Sequence, residues 1–181
     1  VATGPADVGP WRMNRSKFHY VDDPAVAFAP NGDIGLTWVD NEKQTLFFQR
    51  YRTDVGELTE PVAVSDSPDI FSWLPRIAFG SEGTIYILWQ EIEFTGGSHG
   101  GEALIARSTN GGESFEAPVN LSNSKAGDGK GRLTKKLWHN GSLAMAVGAD
   151  NRVYAAWTEY EGRLLFARST NAGKSFSSPV H

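Results

Sequence analysis

A chain of 181 residues, 40% of them hydrophobic and none of them cysteine, with a formal net charge of −4, is globular and holds no disulfide and no thiolate-bound metal. No run of Lys and Arg stands out, which argues against nucleic acid as a partner. No apolar run approaches the roughly 20 residues of a membrane-spanning helix.

Residues 1–21 read as an N-terminal extension, ahead of a repeat that occupies the rest of the chain. Three segments align without gaps: PAVAFAPNGDIGLTWVD from Pro24, PRIAFGSEGTIYILWQE from Pro75 and LAMAVGADNRVYAAWTE from Leu143. Trp38, Trp89 and Trp157 coincide, as do Asp40, Glu91 and Glu159. Each segment is two apolar runs around a tight turn, and the Asn31-Gly32 pair in the first is a strong hairpin signal. Gly83 and Asn151 fill the same turn position, and both residue types tolerate positive φ.

A second block follows in each repeat: LFFQRYRTDVGELTEPVAVS from Leu46, ALIARSTNGGESFEAPVNLS from Ala103 and LLFARSTNAGKSFSSPV from Leu164. A third strand runs into a polar turn, and a fourth leaves it through Pro61, Pro118 or Pro179. An outermost strand accepts proline because its N–H need not join a ladder. The prediction is therefore an all-β chain of three four-stranded antiparallel blades, about 22–66, 72–123 and 140–181, forming one partial β-propeller unit.

The turn Ser108-Thr-Asn110-Gly-Gly112-Glu-Ser-Phe115 recurs as Ser169-Thr-Asn171-Ala-Gly173-Lys-Ser-Phe176. This resembles the Asp-box, or BNR repeat, of sialidase-like propellers, whose pattern is Ser-x-Asp-x-Gly-x-x-Trp. Asn110 and Asn171 stand in place of Asp, and Phe115 and Phe176 in place of Trp; the first repeat keeps only Thr53, Asp54 and Gly56. The changes leave the turn feasible, with a short polar side chain bonding its own backbone and a glycine at the strained angle. The resemblance implies that the boxes are structural and that ligands bind on the opposite face.

Two long segments belong to that opposite face: Glu91 to Glu102, which reads as a loop, and the connection Ser122 to Gly141. Long loops in a compact repeat carry function more often than minimal ones. They supply the candidate ligand-binding residues Glu91, Glu93, His99, Arg132, Trp138 and His139. The bland reading is a solvated insertion. For the acids after each tryptophan it is a repeated structural feature, because a residue needed for one chemical step usually occurs in one repeat only. The same reasoning makes Arg107 and Arg168 structural, since both precede a box serine. Arg76 has no counterpart in the other repeats, where Ala25 and Ala144 stand. The resemblance implies a carboxylate-gripping arginine there, but the order Leu-Pro-Arg-Ile departs from the family's Phe-Arg-Ile-Pro. A sialidase site also needs three arginines, a tyrosine–glutamate pair and an aspartate acid, and these residues do not assemble one. The four histidines show no zinc-binding spacing, so neither metal nor cofactor is expected.

Propellers close with about four to eight blades, and three leave two open edges. The resemblance implies a six-bladed ring, so the expected partner is a second copy in a homodimer, or another chain supplying blades. The expected function is a non-enzymatic propeller that binds a glycan or protein on its loop face. The alternatives are a sialidase-like glycoside hydrolase, or a fragment of one, and a structural subunit of an extracellular assembly. Val1 in place of a methionine, with no cysteine, suggests a processed product that is secreted or periplasmic.

Overall fold

The computed structural model describes residues 21–65, 67, 70–95, 98–122, 142–158 and 163–181. Glu159, Arg132, Trp138 and His139 lie outside the described residues, as does the extension up to residue 20.

The described residues form three antiparallel sheets in chain order. The first holds β1 (Val21–Phe28), β2 (Ile34–Asp40), β3 (Thr45–Arg52), β4 (Glu57–Leu58) and β5 (Val62–Ala63). The second holds β6 (Phe71–Phe79), β7 (Ile85–Thr95), β8 (Ser98–Ser108) and β9 (Val119–Asn120). The third holds β10 (Leu143–Val147), β11 (Val153–Thr158) and β12 (Leu164–Ser169). Each is a meander of sequential hairpins, the blade expected from the repeat. The first hairpin of each blade turns at positive φ as its sequence dictates, with Gly32 at 91°, Gly83 at 79° and Asn151 at 58°.

Proline shapes the fourth strand. In the first blade that strand is two short pieces, β4 beside Tyr51 and Arg52 and β5 beside Phe47 and Phe48, with Pro61 between them. In the third blade it shrinks to a single bridge, Phe166 to Val180, directly after Pro179.

The core lies between the blades. Strand β7 is buried on both faces, and Ile85, Tyr86, Ile87, Leu88 and Trp89 are all fully covered. This is why its sequence is a continuous apolar run and not an alternating one. Its odd positions pack with Val39, Leu46 and Phe48 of the first blade. Its even positions pack with Leu143, Val153, Trp157 and Leu165 of the third. The innermost strands β1, β6 and β10 adjoin one another. Both β1 and β6 bulge just before a proline, where Asp23 and Leu74 take φ of 49° and 52°. The Leu74 N–H donates to Asp23 Oδ2 at 3.0 Å, tying the two bulges together.

Candidate functional site

Alternating strand direction gives the stack two rims. One carries the β1–β2-type hairpin turns and the box turns. The other carries the β2–β3-type loops and the connections between blades.

On the box rim the two full boxes close identically. Ser108 Oγ accepts the Gly112 N–H at 3.0 Å and donates to Asn110 Oδ1 at 2.8 Å. Asn110 then accepts the Ser114 N–H at 3.2 Å and donates to Ser114 Oγ at 2.9 Å. Ser169, Asn171, Gly173 and Ser175 repeat each of these bonds, at 2.9, 2.8, 3.0 and 2.8 Å. Asparagine therefore does here what the pattern's aspartate is expected to do, and its amide adds a donor.

The boxes also clamp neighbouring blades, which turn chemistry alone does not reveal. Phe115 meets Phe48 of the preceding blade edge-on at 5.5 Å, and Phe176 packs in the layer that holds Tyr86. The box glycines, Gly112 at φ 93° and Gly173 at 77°, lie flat on those same rings. A Cβ at Gly173 would sit 2.7 Å from Tyr86 Cε1, and one at Gly112 would strike the Phe48 ring. In the first and middle blades an arginine one residue before the box position reaches the next blade's box. Arg107 Nη1 donates to the Ala172 carbonyl at 2.9 Å and Arg50 Nη1 to that of Gly111 at 3.5 Å.

Asp33 anchors Arg50, and sequence reading did not single it out. It is 5% exposed and takes the Arg50 guanidinium at 2.8 Å, the Thr53 N–H at 3.0 Å and Asn31 Nδ2 at 2.9 Å. The Asn31 side chain, then the Thr53 N–H, hold its carboxyl down at about 2, with burial opposing. The only sequence signal was an acid after Asn-Gly with an arginine 17 positions on.

On the opposite rim, the segment Glu91 to Glu102 is corrected from a loop to a hairpin. Strands β7 and β8 each run 11 residues and stay paired out to Thr95 and Ser98. Glu-Ile-Glu-Phe-Thr alternates with period two, which suits a pleated strand better than a loop. The corresponding strands of the first blade end at Asp40 and begin again at Thr45. The middle blade thus rises above the first blade on this rim. Register places Glu93 opposite Gly100 and His99 opposite Phe94, on the raised part.

Glu91 is at the base of that hairpin, 3% exposed, and accepts the Trp89 indole N–H at 3.2 Å. Burial pushes its carboxyl up, with the Trp89 and Ser67 hydrogen bonds pulling the other way. Asp40 instead caps its own loop, accepting the N–H groups of Glu42 and Lys43 at 3.1 and 3.0 Å. The two described acids of the Trp-x-acid repeat therefore serve local structure. Arg76 is exposed but engaged: Nε donates to the Leu143 carbonyl of the third blade at 3.1 Å, and Nη1 to Pro75 at 2.9 Å and Leu74 at 3.4 Å. It ties β6 to β10. Among the described residues no three His, Asp or Glu side chains are grouped to hold a metal.

Comparison with family models and with curated proteins gives no match. Solved structures do match. A protein of unknown function from Dyadobacter fermentans superposes with a TM-score of 0.62 at 17% identity, over 93% of this chain and 57% of that one. The α-L-arabinanase of Penicillium chrysogenum, complexed with arabinobiose, gives 0.59 at 12% identity, over 87% and 48%. An ulvan lyase of polysaccharide lyase family PL25 gives 0.56 at 15% identity, over 89% and 39%. The fold is that of three β-propeller blades. At these identities the fold is what is shared, and this chain spans about half the length of the structures it matches.

Proposed function

We propose that this chain supplies blades to a secreted or periplasmic propeller that binds carbohydrate, without cleaving it, on the rim opposite the boxes. The observation that carries this reading is the raised β7–β8 hairpin, which lifts residues 92–95 and 98–101 above the hairpin end of the first blade. A hydrogen-bonded strand pair costs less to order on binding than a loop does. Its residues include carboxylate, imidazole and aromatic groups, the side-chain types that hydrogen-bond and stack on sugars. The matched structures point the same way by name, the arabinanase and ulvan lyase being joined by an N-acetylgalactosamine deacetylase from F. plautii, with blood group B trisaccharide, at a TM-score of 0.53 and 12% identity. From the connection, Arg132, Trp138 and His139 are proposed to complete the surface.

A hydrolase reading requires a general acid held protonated beside the sugar. Glu91 has the raised carboxyl but is covered and committed to Trp89, so binding is the better-supported reading. A glycan array followed by calorimetry tests it. The parent chain is expected to bind at least one glycan class, and replacing residues 93–100 by Asn-Gly is expected to abolish that binding with the melting temperature unchanged. No binding to any glycan favours a purely structural subunit, and binding that survives the shortened hairpin moves the site elsewhere.

A further inference from the structure

Large hydrophobic side chains stand exposed at two places, the outer side of the first blade and that of the third. On the first these include Val26 at 66%, Phe28 at 78% and Leu58 at 42%; on the third, Leu164 at 63%, Phe166 at 37% and Val180 at 56%. Patches of this kind on a folded chain mark surfaces that are covered in use.

The two internal interfaces show what covers them. On the third blade, Tyr154 and Phe166 stack at 6.1 Å in the positions of Tyr86 and Ile105, which in the middle blade lie under the next blade. Arg168 stands where Arg50 and Arg107 stand, and those two reach the carbonyls of Gly111 and Ala172 across an interface. Arg168 is exposed. On the first blade, Trp38 holds the position of Trp89 and Trp157, both buried against a preceding blade, yet Trp38 is only half-buried. Leu58 holds the position of the wedges Phe115 and Phe176. In chain register Asp54 stands at the position of Gly111 and Ala172, the residues whose carbonyls receive an arginine, although its turn takes positive φ at Gly56 instead. Asp54 is exposed, and its carboxylate adds a charge of the right sign for Arg168.

We propose that the outer side of the third blade docks on the outer side of the first blade of a second copy, with Arg168 of one chain gripping the Asp54 turn of the other. Such a head-to-tail contact closes when the rotation permits. Each copy presents both faces, so two copies in a closed pair form both contacts at once. The inference is independent of the carbohydrate reading, and either can fail alone.

Sedimentation equilibrium of the parent chain and charge-reversal variants tests it. The parent is expected to run at twice the chain mass. Arg168→Glu and Asp54→Lys are each expected to weaken association by roughly ten-fold or more, and the two together to restore most of it. Both residues are exposed, so circular dichroism is expected to show every variant folded. A monomeric parent means that other blades, or residues 1–20, cover these faces, and overturns the proposal. So does an assembly larger than two copies, or a dimer indifferent to both reversals.

Discussion

Gly112 offers a direct measure of how far a box turn acts as an inter-blade clamp. Two costs add when it becomes alanine. A side chain at φ 93° costs about 1–2 kcal/mol in backbone strain. The new Cβ would also meet the Phe48 ring, with Cδ1 only 2.9 Å away, and overpacking of that kind costs about 1–3 kcal/mol. Reduced freedom of the unfolded chain returns about 0.4–1 kcal/mol. The net expectation is a loss of about 1–5 kcal/mol. Gly83 is the control, because it has φ 79° but nothing within 4 Å of where an added methyl would sit, so Gly83→Ala carries the strain without the collision. Urea unfolding followed by tryptophan fluorescence reads both, since Trp89 lies in the same layer as Phe48. Phe48→Leu removes the ring atoms in the way, so Gly112→Ala is expected to cost less in that background. Equal losses for Gly112→Ala and Gly83→Ala, or no coupling to Phe48, would refute the clamp.

Two titration experiments follow from the carboxyls. Burial raises the folded-state value of Glu91 above 4.5, so its ionisation opposes folding: its contribution is most favourable below pH 4.5 and is lost as pH rises through the folded value. Glu91→Gln keeps an acceptor for the Trp89 indole N–H and is expected to gain in stability relative to the parent as pH rises above 4.5 in urea titrations; a constant difference contradicts it. Asp33 has the opposite sign. Its folded value of about 2 lies below 3.8, so its stabilisation is full above pH 3.8 and fades as pH falls towards 2. Asp33→Asn is expected to melt below the parent at neutral pH, with the gap closing in that acid window.

Sequence reading recovered the blades because the turn glycine or asparagine and the tryptophan keep one register in all three, and the box serine keeps it in two. Each reports a local requirement, such as positive φ at Gly83 or the Ser108–Asn110 bond, so each is legible from neighbours in the chain. What was not legible depends on contacts between blades. Nothing near Gly112 in sequence says that Phe48 lies on it, and nothing near Arg50 says that it reaches the next blade's box. The hairpin Ile85–Thr95 with Ser98–Ser108 was missed because its glycines read as loop, although Gly100 and Gly101 sit opposite Glu93 and Ile92 of an alternating strand. Glu91 was legible as part of a repeat, but its burial is set by packing across blades, since it holds the indole N–H of Trp89, which packs against the first blade.

The carbohydrate-binding rim is tested most directly by mapping amide resonances while an array-positive oligosaccharide is titrated in. The expected result is that amides of residues 92–95 and 98–101 shift progressively while those of the Ser108–Phe115 turn on the other rim stay fixed. Shifts confined to the box rim, or to the outer sides of the first and third blades, would contradict it.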